Sequence, residues 1–327
     1  MSKRIVSFTA CCIFFLVCCL SGCNHTSETT ENTHPVETTD TTQTLVTETP
    51  ETPETTYDSS EIVTSVPQRN YYKTFIHNGD EYTFYIYENE YSSFSVLSDI
   101  VTDKEELIIP AEVEGIRISK ISYTALSSLT TVKKLVLSEG IEQLEPNFPI
   151  QLCETLEELY LPASLQIIGS GYENAEDFQG NGLFAGKGIY VDAENPWYCD
   201  VNGILFTKDM SILLKCPDNM NMETYTIPNG TRVLYSFACL DSSVQNLILP
   251  EGLLAIKEHA LTYCSSVRKL HIPASVIRID KESLPAYLTE ITVSPDNPNF
   301  SVKEEDGKMS LYNKYGDFIY TTQPISP

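Results

Sequence analysis

Apolar and polar positions alternate along this chain in short bursts, and each burst ends at a Pro or a Ser. The first is Leu107-Ile108-Ile109-Pro110, followed by 132–138, 156–162, 222–228, 244–250, 267–273 and 288–294. Counted back from the Pro or Ser, apolar residues stand at the first, third and sixth places. The alternation predicts a strand with one side chain in and the next out. Counted forward, apolar residues return at the third and sixth places, as in Ile141 and Leu144, Leu165 and Ile168, Leu253 and Ile256, Val276 and Ile279. Proline has no N–H to donate, which suits a strand end where the chain turns a corner. Short helical or turn-like pieces should follow, at 236–239 and 260–264. Most neighbouring bursts lie 21 to 28 residues apart. That spacing predicts a strand-rich solenoid, one coil per burst, whose turns bury a shared core only when stacked.

Two stretches carry a family likeness: Leu247-Ile248-Leu249-Pro250-Glu251-Gly252-Leu253-Leu254-Ala255-Ile256 and Leu270-His271-Ile272-Pro273-Ala274-Ser275-Val276-Ile277-Arg278-Ile279. They resemble the BspA-like class of bacterial leucine-rich repeats. Ile168-Gly169 keeps that pattern's Ile-Gly pair, while Leu261 replaces its Phe. The resemblance covers about residues 100 to 295. It implies a right-handed, curved leucine-rich repeat solenoid on a bacterial surface, and some similar proteins act as adhesins.

The bursts are interrupted between Pro162 and Pro228. Here 203–214 reads as a hairpin, two apolar runs around Lys208-Asp209, within an insertion of about 186–217. The preceding Val191-Asp192-Ala193-Glu194-Asn195-Pro196 has a cognate in Val293-Ser294-Pro295-Asp296-Asn297-Pro298. A longer period of about a hundred residues therefore overlies the short one. The Asn-Pro segments read as tight turns launching a hairpin, in preference to ligand contacts at Glu194 or Asn195. Both solenoid ends need covering. Residues 67–106 are expected to hold an aromatic-rich capping hairpin, with turns at Gly79-Asp80 and 88–90, and 296–327 a C-terminal hairpin cap.

The N-terminus predicts an address. Lys3 and Arg4 precede an apolar stretch from Ile5 to Leu20, which has the form of a signal peptide. It ends in Leu20-Ser21-Gly22-Cys23, closely matching a bacterial lipobox. The resemblance implies cleavage after residue 22 and lipid on Cys23, the membrane being reached through that lipid alone. Residues 23–66 follow as a Thr/Glu-rich linker lacking Lys and Arg, too polar to form a core. As a flexible coil it would hold the repeats on the order of 35–40 Å from the membrane.

The formal net charge of −24 disfavours nucleic acid as a partner. Five of the ten cysteines lie in the signal and lipobox. Cys153, Cys199, Cys216, Cys239 and Cys264 show no zinc-type pairing, and Cys239 and Cys264 occupy nearly equivalent places, as small core residues would. They are expected to be structural and mostly or wholly reduced, with one bridge left open. No Gly-x-Ser-x-Gly elbow, phosphate-cradling loop or His ligand spacing appears, so no enzyme, cofactor or metal is expected. The glycines at 180–182 and 186–188 read as loop.

Outward strand positions nominate a binding face. The column two places before the Pro or Ser reads Ile108, Val136, Tyr160, Thr226, Ile248, His271 and Thr292. The column four places before it includes Lys134, Glu158, Asn246 and Lys269. Stacked strands would make these a ladder, which the interruption is expected to break between Tyr160 and Thr226. Cross-strand pairing of Lys134 with Glu158 is the competing use of such residues. The expected role is adhesin-like binding of an extracellular protein or glycan. A structural part paired with other envelope proteins is the alternative, and a hydrolase comes third.

Overall fold

The computed structural model describes residues 69–88, 93–145, 155–169, 186–217, 222–239, 244–262 and 264–324. All of them belong to one compact unit, 63–327. The signal and lipobox with Cys23, the linker, Cys153 and the 180–182 glycines lie outside the described residues.

The described chain opens with β1 (Arg69–His77), β2 (Asp80–Glu88) and β3 (Ser93–Val101), antiparallel in sequence order. This is a three-stranded meander where the sequence suggested a hairpin. Its first turn is Asn78-Gly79, both at positive φ, the two-residue connection that matches strand twist. Asp80, expected in that turn, instead starts β2 and is buried. Lys104 Nζ lies 2.6 Å from its Oδ2, and Thr102 Oγ1 donates to its Oδ1 at 2.7 Å. Tyr82, Phe84 and Ile86 alternate inward and are buried, so these aromatics pack the cap.

The first coils follow as β4 (Glu106–Ile109), a small antiparallel excursion of β5 (Glu112–Val113) and β6 (Ile116–Arg117), then β7 (Lys120–Ile121), α1 (Tyr123–Ser127), β8 (Lys134–Leu137), β9 (Gln143–Leu144), β10 (Glu158–Leu161), β11 (Ile167–Ile168) and β12 (Gly188–Val191). Two parallel ladders result. The front one runs β4-β8-β10-β12, and the back one extends the meander as β3-β7-β9-β11. β4, β8 and β10 show alternating burial, with Leu107, Leu135 and Leu159 inside. The back strands are two residues long, so each coil has room for only one rung there. One difference from expectation matters: 188–191 is not insertion but a fourth front strand, in register with β10.

Next come β13 (Tyr198–Val201), β14 (Ile204–Thr207) and β15 (Ile212–Lys215), a second antiparallel meander containing the expected hairpin. The second set of coils is β16 (Thr224–Thr226), β17 (Val233–Leu234), β18 (Asn246–Ile248), β19 (Ala255–Ile256), β20 (Lys269–Ile272), β21 (Arg278–Ile279) and β22 (Glu290–Val293). Its back ladder is β15-β17-β19-β21, again seeded by the meander's last strand, and its front strands pair as β16-β18 and β20-β22. A third meander, β23 (Phe300–Glu305), β24 (Lys308–Asn313) and β25 (Phe318–Thr321), ends the described chain. The architecture is a strand-rich solenoid of about seven turns.

Only α1 is helical among the described residues. The equivalent corners at Phe237, His259 and Glu282 each carry a residue at φ between 54° and 59°, which stops helical winding after one turn.

The second meander is a wall between two cores. Leu205 and Leu214 pack into the first, whose other members run from Tyr82 to Ile189. Ile204, Phe206 and Leu213 pack into the second, which extends to Leu311. Burial on both faces explains why Ile204-Leu205-Phe206 is continuously apolar while other strands alternate.

The corners after the front strands share one hydrogen-bonded design. The residue three places past the Pro or Ser donates its N–H back to that residue's carbonyl, as Ile141 does to Ser138 and Leu253 to Pro250. Gly140 and Gly252 take the penultimate place at φ 102°. In the next coil a serine sits there instead: Ser164 Oγ accepts from the Gly140 N–H at 2.8 Å, and Ser275 Oγ from the Gly252 N–H at 2.9 Å.

Candidate binding face on the strand ladders

The register of the front ladder brings Ile108, Val136, Tyr160 and Tyr190 side by side. Strand spacing in such a ladder is about 4.8 Å, close enough for adjacent side chains to touch. Tyr160 and Tyr190 stack with ring centroids 4.9 Å apart and planes inclined by 27°. Lys134 Nζ stands 5.3 Å from the Tyr160 centroid, a cation over an aromatic face. Tyr160 Oη donates to Glu158 Oε2 at 3.1 Å. Partial burial, then that hydrogen bond, push the Tyr160 hydroxyl pKa up.

Lys134 and Glu158 are register partners, yet the Lys134 ion pair is made to the other side, with Glu106 at 2.8 Å. The hydrogen bond to Glu106 pushes the Lys134 ammonium pKa up. One residue earlier runs a second column of alternating sign. Lys133 pairs with Glu105 at 2.8 Å, and Lys187 pairs with Glu157. The face is thus an apolar and aromatic stripe beside two rows of alternating charge.

Two glycines shape its far end. Gly188 is buried beneath the Tyr190 ring; a Cβ there would come within 2.7 Å of Tyr190 Cζ. Gly203 (φ 79°) lies against it, where a Cβ would sit 2.9 Å from Gly188 Cα. This approach lets the Ile189 N–H donate to the Gly203 carbonyl at 2.9 Å, closing the edge of β12.

The second front ladder presents Thr226, Ile248, His271 and Thr292, with Asn246 and Lys269 beside them. Its contacts are polar. His271 Nδ1 and Thr292 Oγ1 are 2.9 Å apart, Asn246 Nδ2 donates to Thr224 Oγ1 at 3.3 Å, and Lys269 pairs with Glu290 at 2.5 Å. The nominated residues therefore fall into two groups. Ile108, Lys134, Val136, Glu158 and Tyr160 share the first ladder and the other six share the second, so the break lies after Tyr190. Tyr190 and the Lys133–Lys187 column are the residues sequence reasoning missed. Among the described residues no three His, Cys, Asp or Glu side chains converge as metal ligands.

The second ladder, with the hairpin strand that seeds it, carries the deciding match: residues 210–302 fit the model of the BspA type leucine rich repeat region in six copies. Residues 210–302 are a BspA-type repeat region. Solved structures similar to the chain include a leucine-rich repeat protein from Eubacterium ventriosum, at 15% identity and TM-score 0.36, covering 68% of this chain and 72% of that one. The pneumococcal vaccine antigen PcpA is 15% identical with a TM-score of 0.32, covering 69% of this chain and 82% of that one. A leucine rich cell surface protein from Faecalibacterium prausnitzii is 10% identical with a TM-score of 0.28, covering 68% and 95%. No curated protein matches the chain. Within the BspA-type region lie Thr226, Asn246, Ile248, Lys269, His271 and Thr292; the aromatic ladder from Ile108 to Tyr190 precedes it.

Proposed function

We propose that this is an exported, lipid-anchored bacterial surface protein whose first front ladder binds an extracellular protein or glycan. The observation that carries the reading is the stripe of Ile108, Val136, Tyr160 and Tyr190 on the outside of a parallel sheet. Ile108 is well exposed, and Tyr160 and Tyr190 are held by their mutual stack. Ordered aromatic surface lowers the entropy cost of binding, and such residues dominate recognition hot spots. Export and anchoring are supported by the apolar stretch ending in Leu20-Ser21-Gly22-Cys23.

The test is a glycan and matrix-protein array probed with the purified chain and two double variants. Tyr160→Ala/Tyr190→Ala should abolish a hit that Ile248→Ala/His271→Ala retains. The opposite pattern moves the site to the second ladder, and retention by both variants rejects the front ladders.

An assembly role has one observation in its favour. β1 ends its sheet, and Tyr72 and Ile76 on it are each 69% exposed. Such an edge is a template for strand addition. Crosslinking in the native envelope through a photoreactive residue at position 72 reads this directly; only self-reacted or uncoupled chain would dismiss it.

A further inference from the structure

The last strand of the second meander and the first back corner of the second ladder meet at two thiols. Cys216 follows β15, and its N–H donates to the Ala238 carbonyl at 2.6 Å, which sets its backbone beside Cys239. Cys216 Sγ and Cys239 Sγ are 2.7 Å apart, inside ordinary sulfur–sulfur contact. Backbones joined this way in neighbouring rungs have Cα atoms about 5 Å apart, within the span a disulfide bridges. Both residues are buried, at 1% and 2% exposure. The third thiol also faces Cys239: Cys264 Sγ donates to the Cys239 carbonyl at 2.8 Å, and its side chain hydrogen-bonds that of Cys239. Cys199 lies on β13, with its Sγ directed at the Thr207 carbonyl.

We infer that Cys216 and Cys239 form an intramolecular disulfide that staples the wall between the two cores to the first back corner of the second ladder. The two thiols give up two protons and two electrons to a disulfide oxidant, either an oxidoreductase or a small-molecule disulfide. One thiolate attacks the oxidant, forming a mixed disulfide and releasing its first thiol. The other thiolate then attacks the protein sulfur, forming the Cys216–Cys239 bond and releasing the second thiol. In the closed corner the hydrogen bond between them holds the Cys239 thiol below the ordinary range, and the same bond with burial pushes Cys216 up. Burial of both sulfurs places the exchange before the corner closes during folding, or while it is open. Residue 216 follows the back-ladder seed and residue 239 lies just past the first strand stacked upon it, so the bridge fixes the junction at which the ladder starts.

The inference goes beyond the binding reading and is tested independently of export. The purified full chain is unfolded and refolded with oxidised glutathione, then denatured again. It is alkylated without reduction and mapped by peptide mass. The expected result is one linked peptide pair carrying Cys216 and Cys239, lighter by about 2 Da than the two free peptides together. The pair should persist in Cys264→Ser and disappear in Cys216→Ser, where Cys239 becomes alkylated or glutathionylated. Full alkylation of Cys216 and Cys239 in the wild-type chain, or a bridge joining Cys239 to Cys264, overturns it. Should Cys216→Ser fail to fold, melting of the oxidised wild-type chain decides: adding reductant must lower the midpoint, and an unchanged midpoint counts against the staple.

Discussion

Asn195 and Asn297 make the same four hydrogen bonds at equivalent places in the two halves of the molecule. Each occupies the corner position that is elsewhere a buried Ile, Leu or Val, or, after Pro228, the buried Thr231. The Asn195 amide donates to the carbonyls of Pro162 and Leu165 and accepts from the N–H groups of Trp197 and Tyr198. Asn297 donates to Pro273 and Val276 and accepts from Asn299 and Phe300. A side chain with both donor and acceptor ties the preceding coil to the meander that follows, which no apolar residue in that place can do.

Replacing either asparagine by Leu should therefore destabilise more than its volume suggests. Two buried carbonyls and two N–H groups lose partners, a penalty of about 2–4 kcal/mol. Denaturant unfolding measures the total. Hydrogen exchange should show losses confined to residues near 198–207 for Asn195→Leu and near 300–312 for Asn297→Leu.

The wall offers a sharper contrast. Leu205→Ala and Phe206→Ala are adjacent in sequence yet open cavities in different cores. Each should cost about 3–5 kcal/mol. Hydrogen exchange should find the weakened amides in the coils before residue 192 for the first variant and after residue 222 for the second. Identical protection maps would refute the two-core arrangement.

Gly203→Ala and Gly188→Ala should also separate. Alanine at Gly203 meets both a left-handed backbone and the Gly188 main chain, which cannot give way, so a loss of about 2–3 kcal/mol is expected. At Gly188 the obstacle is the end of the Tyr190 ring, which can swing aside. Stability then changes by less than about 1 kcal/mol, but the Tyr160 stack is lost and any ligand bound there should weaken.

Alkaline pH should loosen the molecule in a defined window. Burial pushes the hydroxyls of Tyr82 and Tyr198 up to about 12, from 10.0 when unfolded. A pKa raised by folding means that the folded state holds its proton more tightly. The associated stability is complete below pH 10.0 and is lost as pH rises towards about 12. Tyrosinate absorbance should show a late-titrating class that merges with the rest on unfolding. Tyr82→Phe should reduce that class.

Much of this was legible because the coil pattern is repetitive: every front strand with a Pro or Ser stop was found, and alternation told inside from outside. Tyr190 was missed because its burst ends in Asp192 and has Gly186 where an apolar residue usually stands. The likeness of 191–196 to 293–298 pointed to it, since the second stretch follows a front strand. The two-residue back strands were hidden because so short a run has no periodicity of its own. The partner of Lys134 was not readable either, since Glu106 and Glu158 flank it equally in register and only side-chain placement selects one.

The wall also imposes a direction on how the molecule comes into being. A chain that emerges N-terminus first can close its leading core once Leu214 is out, because every fully buried member of that core lies at or before this point and only the half-buried Tyr235 is added later. Ile204, Phe206 and Leu213 then wait on the trailing face for side chains from residue 216 onward. Until those arrive, the nascent protein carries an adhesive end, and a pause in delivery at that stage would leave it most open to capture by chaperones or by its own neighbours.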